Sequence, residues 1–191
     1  MLVSFLSALR HICSNMYRSF KMVLILVLNM SLVDGISPAV GCGYLWYEFN
    51  GSCYRMYQRS NTFEEARSFC QNDGADLVVI ANEEENQFLK ELFYLQEDLQ
   101  SPETIWHAFI GLTDMAKEGT HVWVDGTPLS YSNWVAGDPN DSDGTNDIVE
   151  IVGPYIPSNY GRWVDSSTIK TSETYICERK YRQKTGITVS E

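Results

Sequence analysis

The residues most able to do chemistry are acidic and lie close together. Between Glu118 and Gly161 the chain has no Lys or Arg, yet it carries Glu118, Asp125, Asp138, Asp141, Asp143, Asp147 and Glu150. Five of these carboxylates fall within residues 138–150. Carboxylates packed this closely repel one another unless water or a cation stands between them. Most acidic runs are plain solvated loops. Here Asn140 and Asn146 add amide oxygens, and a cluster of hard oxygen donors suits Ca²⁺, which takes about six to eight of them. An EF-hand does not account for the pattern. With Gly144 as its sixth residue the loop would begin at Pro139, which has no ligating side chain, and no helix pattern leads into it. His107 and His121 sit in strand-like stretches without a nucleophile motif, so structural or surface roles are expected of them. A glycosidase-like carboxylate pair is set aside because a metal explains the grouping. The sequence is therefore read as a binding protein and not an enzyme.

Composition sets the context for that cluster. The chain has 191 residues with 44% hydrophobic content, enough for one good core. Its net charge of -11 argues against nucleic acid, whose phosphates need clustered Lys and Arg. Residues 1–35 read as a signal peptide. Arg10, Arg18 and Lys21 precede an apolar run from Met22 to Leu28, which is shorter than the roughly 20 residues that span a bilayer. Val33 and Gly35 then supply the small residues of a cleavage site. Met16 or Met22 as the true start would give a more ordinary leader, and an uncleaved anchor is the rival reading. Cleavage after Gly35 removes Cys13 and leaves Cys42, Cys53, Cys70 and Cys177. An even set in an exported chain reads as disulfides, and the spacings do not form a zinc pattern. The protein is expected to be secreted, with no membrane insertion after cleavage.

The elements that must position the acidic residues follow from periodicity and punctuation. Tyr44 to Phe49 and Cys53 to Tyr57 flank Asn50-Gly51, a two-residue hairpin signal that Cys42 and Cys53 would staple. Thr62-x-x-Glu65 is a capping box opening a helix with Phe63, Ala66 and Cys70 on one face, stopped at Gly74. Leu77 to Ile80 reads as a short buried strand. Asn82-x-x-Glu85 opens a second helix carrying Phe88, Leu89, Leu92 and Phe93 on one face. Strands are expected over His107–Thr113, His121–Val124, Ile148–Val152, Arg162–Val164 and Tyr175–Cys177, with an irregular acidic loop from Trp134 to Asp147. A domain over residues 36–178 and a loose polar tail over 179–191 complete an α+β plan.

These residues resemble a known family. Phe109-Ile-Gly-Leu112, Trp123-Val-Asp-Gly-Thr-Pro-Leu-Ser-Tyr-Ser-Asn-Trp134 and Gly137-Asp-Pro-Asn140 are similar to motifs of the C-type lectin domain, as are Thr62 to Cys70, Ala75-Asp-Leu77 and Tyr175-Ile-Cys-Glu178. The resemblance covers about Cys42 to Glu178. It implies two helices packed on short antiparallel sheets with a long calcium-binding loop region. It also implies the long form of the domain, with Cys42 paired to Cys53 and Cys70 to Cys177.

The resemblance implies two ion sites as well. At the calcium that also meets the sugar, the matching positions hold Asp138, Asn140, Asn146, Val164 and Asp165. Val164 removes one ligand, and Asn146 stands where a carboxylate is usual. Asp138-Pro139-Asn140 leans towards mannose-, glucose- or fucose-type ligands, and in the family the peptide before the proline is cis. At a second, structural calcium, Asp114, Glu118, Asp141 and Asp147 match, with Asn146 again replacing a Glu. The family's inner disulfide would join the positions of Ile148 and Thr168, so here the loop lacks that tie, and calcium is expected to do more of the ordering. The main expectation is a calcium-dependent carbohydrate-binding protein of innate recognition. The alternative is a module of the same fold that binds a protein ligand and keeps calcium in a structural role. Val164 favours the alternative, and Asp138-Pro139-Asn140 the first.

Two sequons, Asn50-Gly-Ser52 and Asn140-Asp-Ser142, predict a glycoprotein modified at Asn50, with Asn140 bare. Trp123, Trp134 and Trp163 are expected in the core. Tyr155 and Tyr160 are free to shape a partner surface.

Overall fold

The computed structural model describes residues 41–96, 101–140 and 144–181. The leader expected over residues 1–35, the expected ligand Asp141, Ser142 of the second sequon and the tail from residue 182 lie outside them.

Two helices form where the sequence places their caps. Helix α1 (Phe63–Asn72) opens on a capping box: the Glu65 amide donates to Thr62 Oγ1 at 3.3 Å, and the Thr62 amide donates to Glu65 Oε2 at 2.9 Å. It buries Phe63, Ala66 and Cys70. Helix α2 (Glu83–Leu95) is capped by Asn82, whose Oδ1 accepts from the Glu85 amide at 2.9 Å. The reciprocal half of that cap is diverted. Glu85 instead accepts from the Ala81 amide at 2.8 Å and from the Tyr54 hydroxyl at 2.5 Å, tying the helix start to the sheet. Phe88, Leu89, Leu92 and Phe93 are its buried apolar face.

Eight strands make one sheet: β1 (Tyr47–Phe49), β2 (Ser52–Asn61), β3 (Asp76–Leu77), β4 (His107–Thr113), β5 (Val122–Trp123), β6 (Ile148–Val152), β7 (Trp163–Ser166) and β8 (Ser172–Lys180). Its path runs β1-β2-β8-β4-β6-β7, with β3 on β8 and β5 on β4. All pairs are antiparallel except β4 with β8, so the short antiparallel pairings expected are joined through that one parallel contact into a single mixed sheet. The Asn50-Gly51 turn has both residues at positive φ, +46° and +77°, the geometry a two-residue hairpin demands.

Several boundaries differ from the sequence reading, and three of them have identifiable neighbours. The strand expected over 77–80 is Asp76–Leu77 and keeps only Leu77 of that span, because the Val78 carbonyl turns to the Gly111 amide at 2.8 Å. That approach needs a glycine: a Cβ on Gly111 would lie 2.7 Å from Val124 Cγ2 and 2.8 Å from the Leu77 carbonyl oxygen. Strand β7 starts and ends later than expected, which puts Asp165 inside it. Strand β8 runs through Arg179 and Lys180. Its Arg179 guanidinium lies 4.0 Å over the Trp46 ring and donates to the Cys42 carbonyl at 2.7 Å, so this part of the expected tail is strand.

Cys42 is bonded to Cys53 and Cys70 to Cys177, each pair with Cα atoms 5.5 Å apart. The second bond crosses the core formed by Phe63, Ala66, Leu77, Phe109, Ile148 and Tyr175. Among the described residues no helix is long and apolar enough to cross a membrane.

Candidate functional site

The site is built around Trp163 at the start of β7. Its indole is fully buried and donates to Asn86 Oδ1 at 2.8 Å, while Asn86 Nδ2 donates to the Gly161 carbonyl at 3.0 Å. Asn133 Nδ2 reaches the same carbonyl at 3.0 Å. The backbone then closes on β7 from the other side: Trp163 N donates to Asn133 O and Val135 N to Trp163 O, both at 2.8 Å. Tyr131, Trp123 and Trp134 pack edge-on against the Trp163 ring at 5.6–5.8 Å. Trp123 and Trp163 are thus core, as the sequence led one to expect, and Trp134 is half-buried. This clamp fixes the chain from Asn133 to Asp138 beside β7. Asn86 was not singled out from the sequence, although it stands three and seven residues before Leu89 and Phe93 on the apolar face of α2. A polar residue in that stripe was the available signal.

Beyond the clamp, four of the expected ligands meet. Asp138 precedes Pro139 across a cis peptide. Asn140 Nδ2 donates to Asp138 Oδ1, the Asn140 amide donates to Asp165 Oδ2 at 3.1 Å, and Asn146 Nδ2 lies 3.5 Å from the same oxygen. Burial pushes the Asp138 carboxyl above the usual range, the Asn140 donation opposes that, and the adjacent Asp165 charge adds to it. No Lys or Arg of the described residues pairs with either carboxylate. The donor set is two carboxylates and two carboxamides, all hard oxygen donors that fit Ca²⁺. Turning the amides about their last torsions would exchange N–H donation for oxygen ligation. Val164 offers no donor.

The second expected ion position is placed less completely. Asp114 is buried; its Oδ2 accepts from the Gly119 amide at 2.9 Å and lies 3.9 Å from His121 Nδ1. Its Oδ1 is buried without a protein partner, an orphaned acceptor of the kind a cation would satisfy. Asp147 joins through its backbone, whose carbonyl accepts from Asp114 N at 3.1 Å and Thr113 Oγ1 at 2.6 Å. Glu118 is exposed and its Oε2 is 3.7 Å from where a Cβ on Gly144 would stand. Asp141 lies outside the described residues. Among those described, no three His, Cys, Asp or Glu side chains form a metal-binding group.

Glu150 leaves the acidic cluster altogether. On β6 it is fully buried and bonded to Lys170 Nζ at 2.5 Å. His107 faces this pair; burial holds its imidazole below its ordinary pKa, with Glu150 opposing and Lys170 adding to the shift.

With that geometry in place, comparison with known proteins is informative. Residues 59–179 match the family model described as the lectin C-type domain. The CD209 antigen of Symphalangus syndactylus is 39% identical over 115 residues, 59% of this chain and 28% of its own length. The human protein named C-type lectin domain family 17, member A is 33% identical over 156 residues, 80% of this chain and 37% of its own. The chain thus spans well under half of either relative. Among solved structures, the cow CD23 carbohydrate-recognition domain, studied in the presence of a GlcNAc2Man3 oligosaccharide, is 29% identical with a TM-score of 0.62, covering 74% of this chain and 98% of that one.

Proposed function

The chain belongs to the C-type lectin domain family and has its fold, and from that premise we propose that it is a secreted, calcium-dependent carbohydrate-binding protein. The observation that carries the proposal is the meeting of Asp138, Asn140, Asn146 and Asp165 around shared hydrogen bonds. Calcium bound there would supply a Lewis-acidic centre whose coordination a sugar's vicinal hydroxyls complete. The chain's own groups do the selecting. Asp138 accepts from one hydroxyl while Asn140 donates to it, and Asp165 fixes the Asn140 backbone. At the second hydroxyl Asn146 offers an amide where a carboxylate is usual, and Val164 offers nothing. The acid-Pro-amide order favours mannose-, glucose- or fucose-type ligands.

Asp114, with its orphaned Oδ1, together with Glu118, Asp147 and Asp141 would hold the second, structural ion. The two disulfides suit an oxidising, extracellular compartment. Asn50 at the exposed hairpin tip is the proposed glycan acceptor. The protein acts by binding, with no catalytic step.

Val164 supports a second reading, a module that binds a protein ligand and uses calcium only to order its loop. A glycan array run in calcium and in EDTA separates the two. Mannose- or fucose-type binding confined to calcium supports the lectin. Tight calcium titration with no glycan bound in either buffer overturns it in favour of the second reading.

A further inference from the structure

We infer that the Glu150–Lys170 ion pair clamps the β7–β8 turn against β6 and thereby positions Asp165. It stands close to where a chain of this pattern would carry a disulfide between residues 148 and 168. The pair is no casual surface contact. Glu150 is 0% exposed, whereas the Lys170 side chain is 41% exposed and caps it from the turn at 2.5 Å. A carboxylate withdrawn from water is tolerated only with a close, well-aimed partner. Its Oε1 has no protein partner, so the attachment to Lys170 carries the burden. The space around the pair is a cleft of about 320 Å³, lined by Trp106, His107, Glu150, Lys170, Thr171 and Ser172. Burial disfavours the protonated form of His107 there, with Glu150 opposing and Lys170 adding to the shift.

Register connects the clamp to the site. Glu150 lies opposite Val164, and the next rung pairs Val149 with Asp165. Directly opposed residues share a sheet face, so the half-buried Val164 lies beside Glu150 and adds apolar cover. Five residues after Asp165 the chain reaches Lys170, whose amide returns to the Ser167 carbonyl at 3.0 Å. The ring closed by the pair therefore holds Asp165 between β6 and the turn. A crosslink from 148 would close an overlapping ring, since Ile148 is opposite Ser166. Lys170 and Glu150 are thus positioning residues acting through Asp165. The inference rests on the proposed function only for what Asp165 is for.

The test is amide hydrogen exchange on the full chain in EDTA, so that no metal enters. Glu150→Gln removes the charge without stranding another in the interior and is the variant expected to fold. Lys170→Met removes the cap, and Lys170→Arg restores the pair. Both breaking variants are expected to raise exchange roughly tenfold at residues 166–171 and at the Asn140 amide, which reports on its bond to Asp165. Lys170→Arg is expected to match the natural protein. Unchanged exchange at the turn overturns the inference, and so does a loosened turn with Asn140 unaffected. A uniform rise reaching β4 and β8 overturns it too, because it signifies only lost global stability. Failure of the natural protein to bind calcium would sink the proposed function and leave this result standing.

Discussion

Replacing Asp165 with Asn changes one charge at the centre of the site and nearly nothing in volume. Its Oδ2 accepts from the Asn140 amide at 3.1 Å, and an asparagine oxygen can still do so, so the local fold should persist. Removing one charged partner from a desolvated pair costs about 2–5 kcal/mol. The substitution also relieves repulsion with Asp138, worth roughly 1 kcal/mol for two carboxylates this near water. About 1–4 kcal/mol remains, and at 1.4 kcal/mol per factor of ten the calcium Kd should rise some five- to several-hundredfold. Calcium titration calorimetry reads this directly. In EDTA the same relief should leave Tm level or up by about 2–4 °C, the shift that 1 kcal/mol gives in a domain of this size. A calcium affinity within about threefold of the natural protein's would refute the assignment of Asp165 as a ligand. A clear fall of Tm in EDTA would make it a structural residue instead.

Four other outcomes follow from the geometry. Cys70 and Cys177 are 107 residues apart, and a crosslink closing a loop of that length is worth about 4.7 kcal/mol; the double Ala variant should lose most of its urea stability, and a loss under about 1 kcal/mol would contradict this. Gly111→Ala drives a Cβ to 2.7 Å from Val124 Cγ2 and 2.8 Å from the Leu77 carbonyl, so overpacking should cost about 1–3 kcal/mol in the same assay. Because burial lowers the His107 pKa in the fold, the unfolded chain takes up the proton first on acidification. The stability from neutral His107, complete above its ordinary value, is lost as pH falls towards the lowered one. The natural protein should therefore lose more stability than His107→Gln as pH falls below the ordinary histidine value of about 6.5, and parallel profiles would exclude the effect. Chelation should raise chymotrypsin cleavage within residues 138–165, and identical digests with and without EDTA would count against calcium ordering that loop.

Much of the fold was legible because its signals are local. Caps at Thr62 and Asn82, the Asn50-Gly51 turn and the apolar faces of both helices depend on residues within a few positions of one another. Asp138, Asn140, Asn146 and Asp165, which the fold brings together, were picked out through motif resemblance. What escaped was set by partners distant in sequence. The strand expected over 77–80 shortened because Val78 is taken by Gly111 on another strand. The second half of the Asn82 cap went to Tyr54, 31 residues away. Asn86 was hidden because its partners, Trp163 and Gly161, follow 77 and 75 residues later.

The acidic run illustrates the limit most clearly, since neighbours in sequence there have different fates. Asp138 faces Asp165, Asp147 contributes a carbonyl beneath Asp114, and Glu150 turns inward to Lys170. Period-two alternation on β6 separates Glu150 from Val149, and cross-strand register places Val164 opposite Glu150 and Asp165 opposite Val149. Val164 thus has two consequences that belong together. It would offer the proposed ion no donor, and on the face it shares with Glu150 it supplies an apolar neighbour to a buried carboxylate whose attraction to Lys170 strengthens as water is excluded. A polar residue there would add a ligand but wet the clamp that holds the turn after Asp165. On the proposed reading the missing donor and the ion pair meet at one rung of the sheet, and the ligand groups that remain would depend on the turn that Lys170 holds.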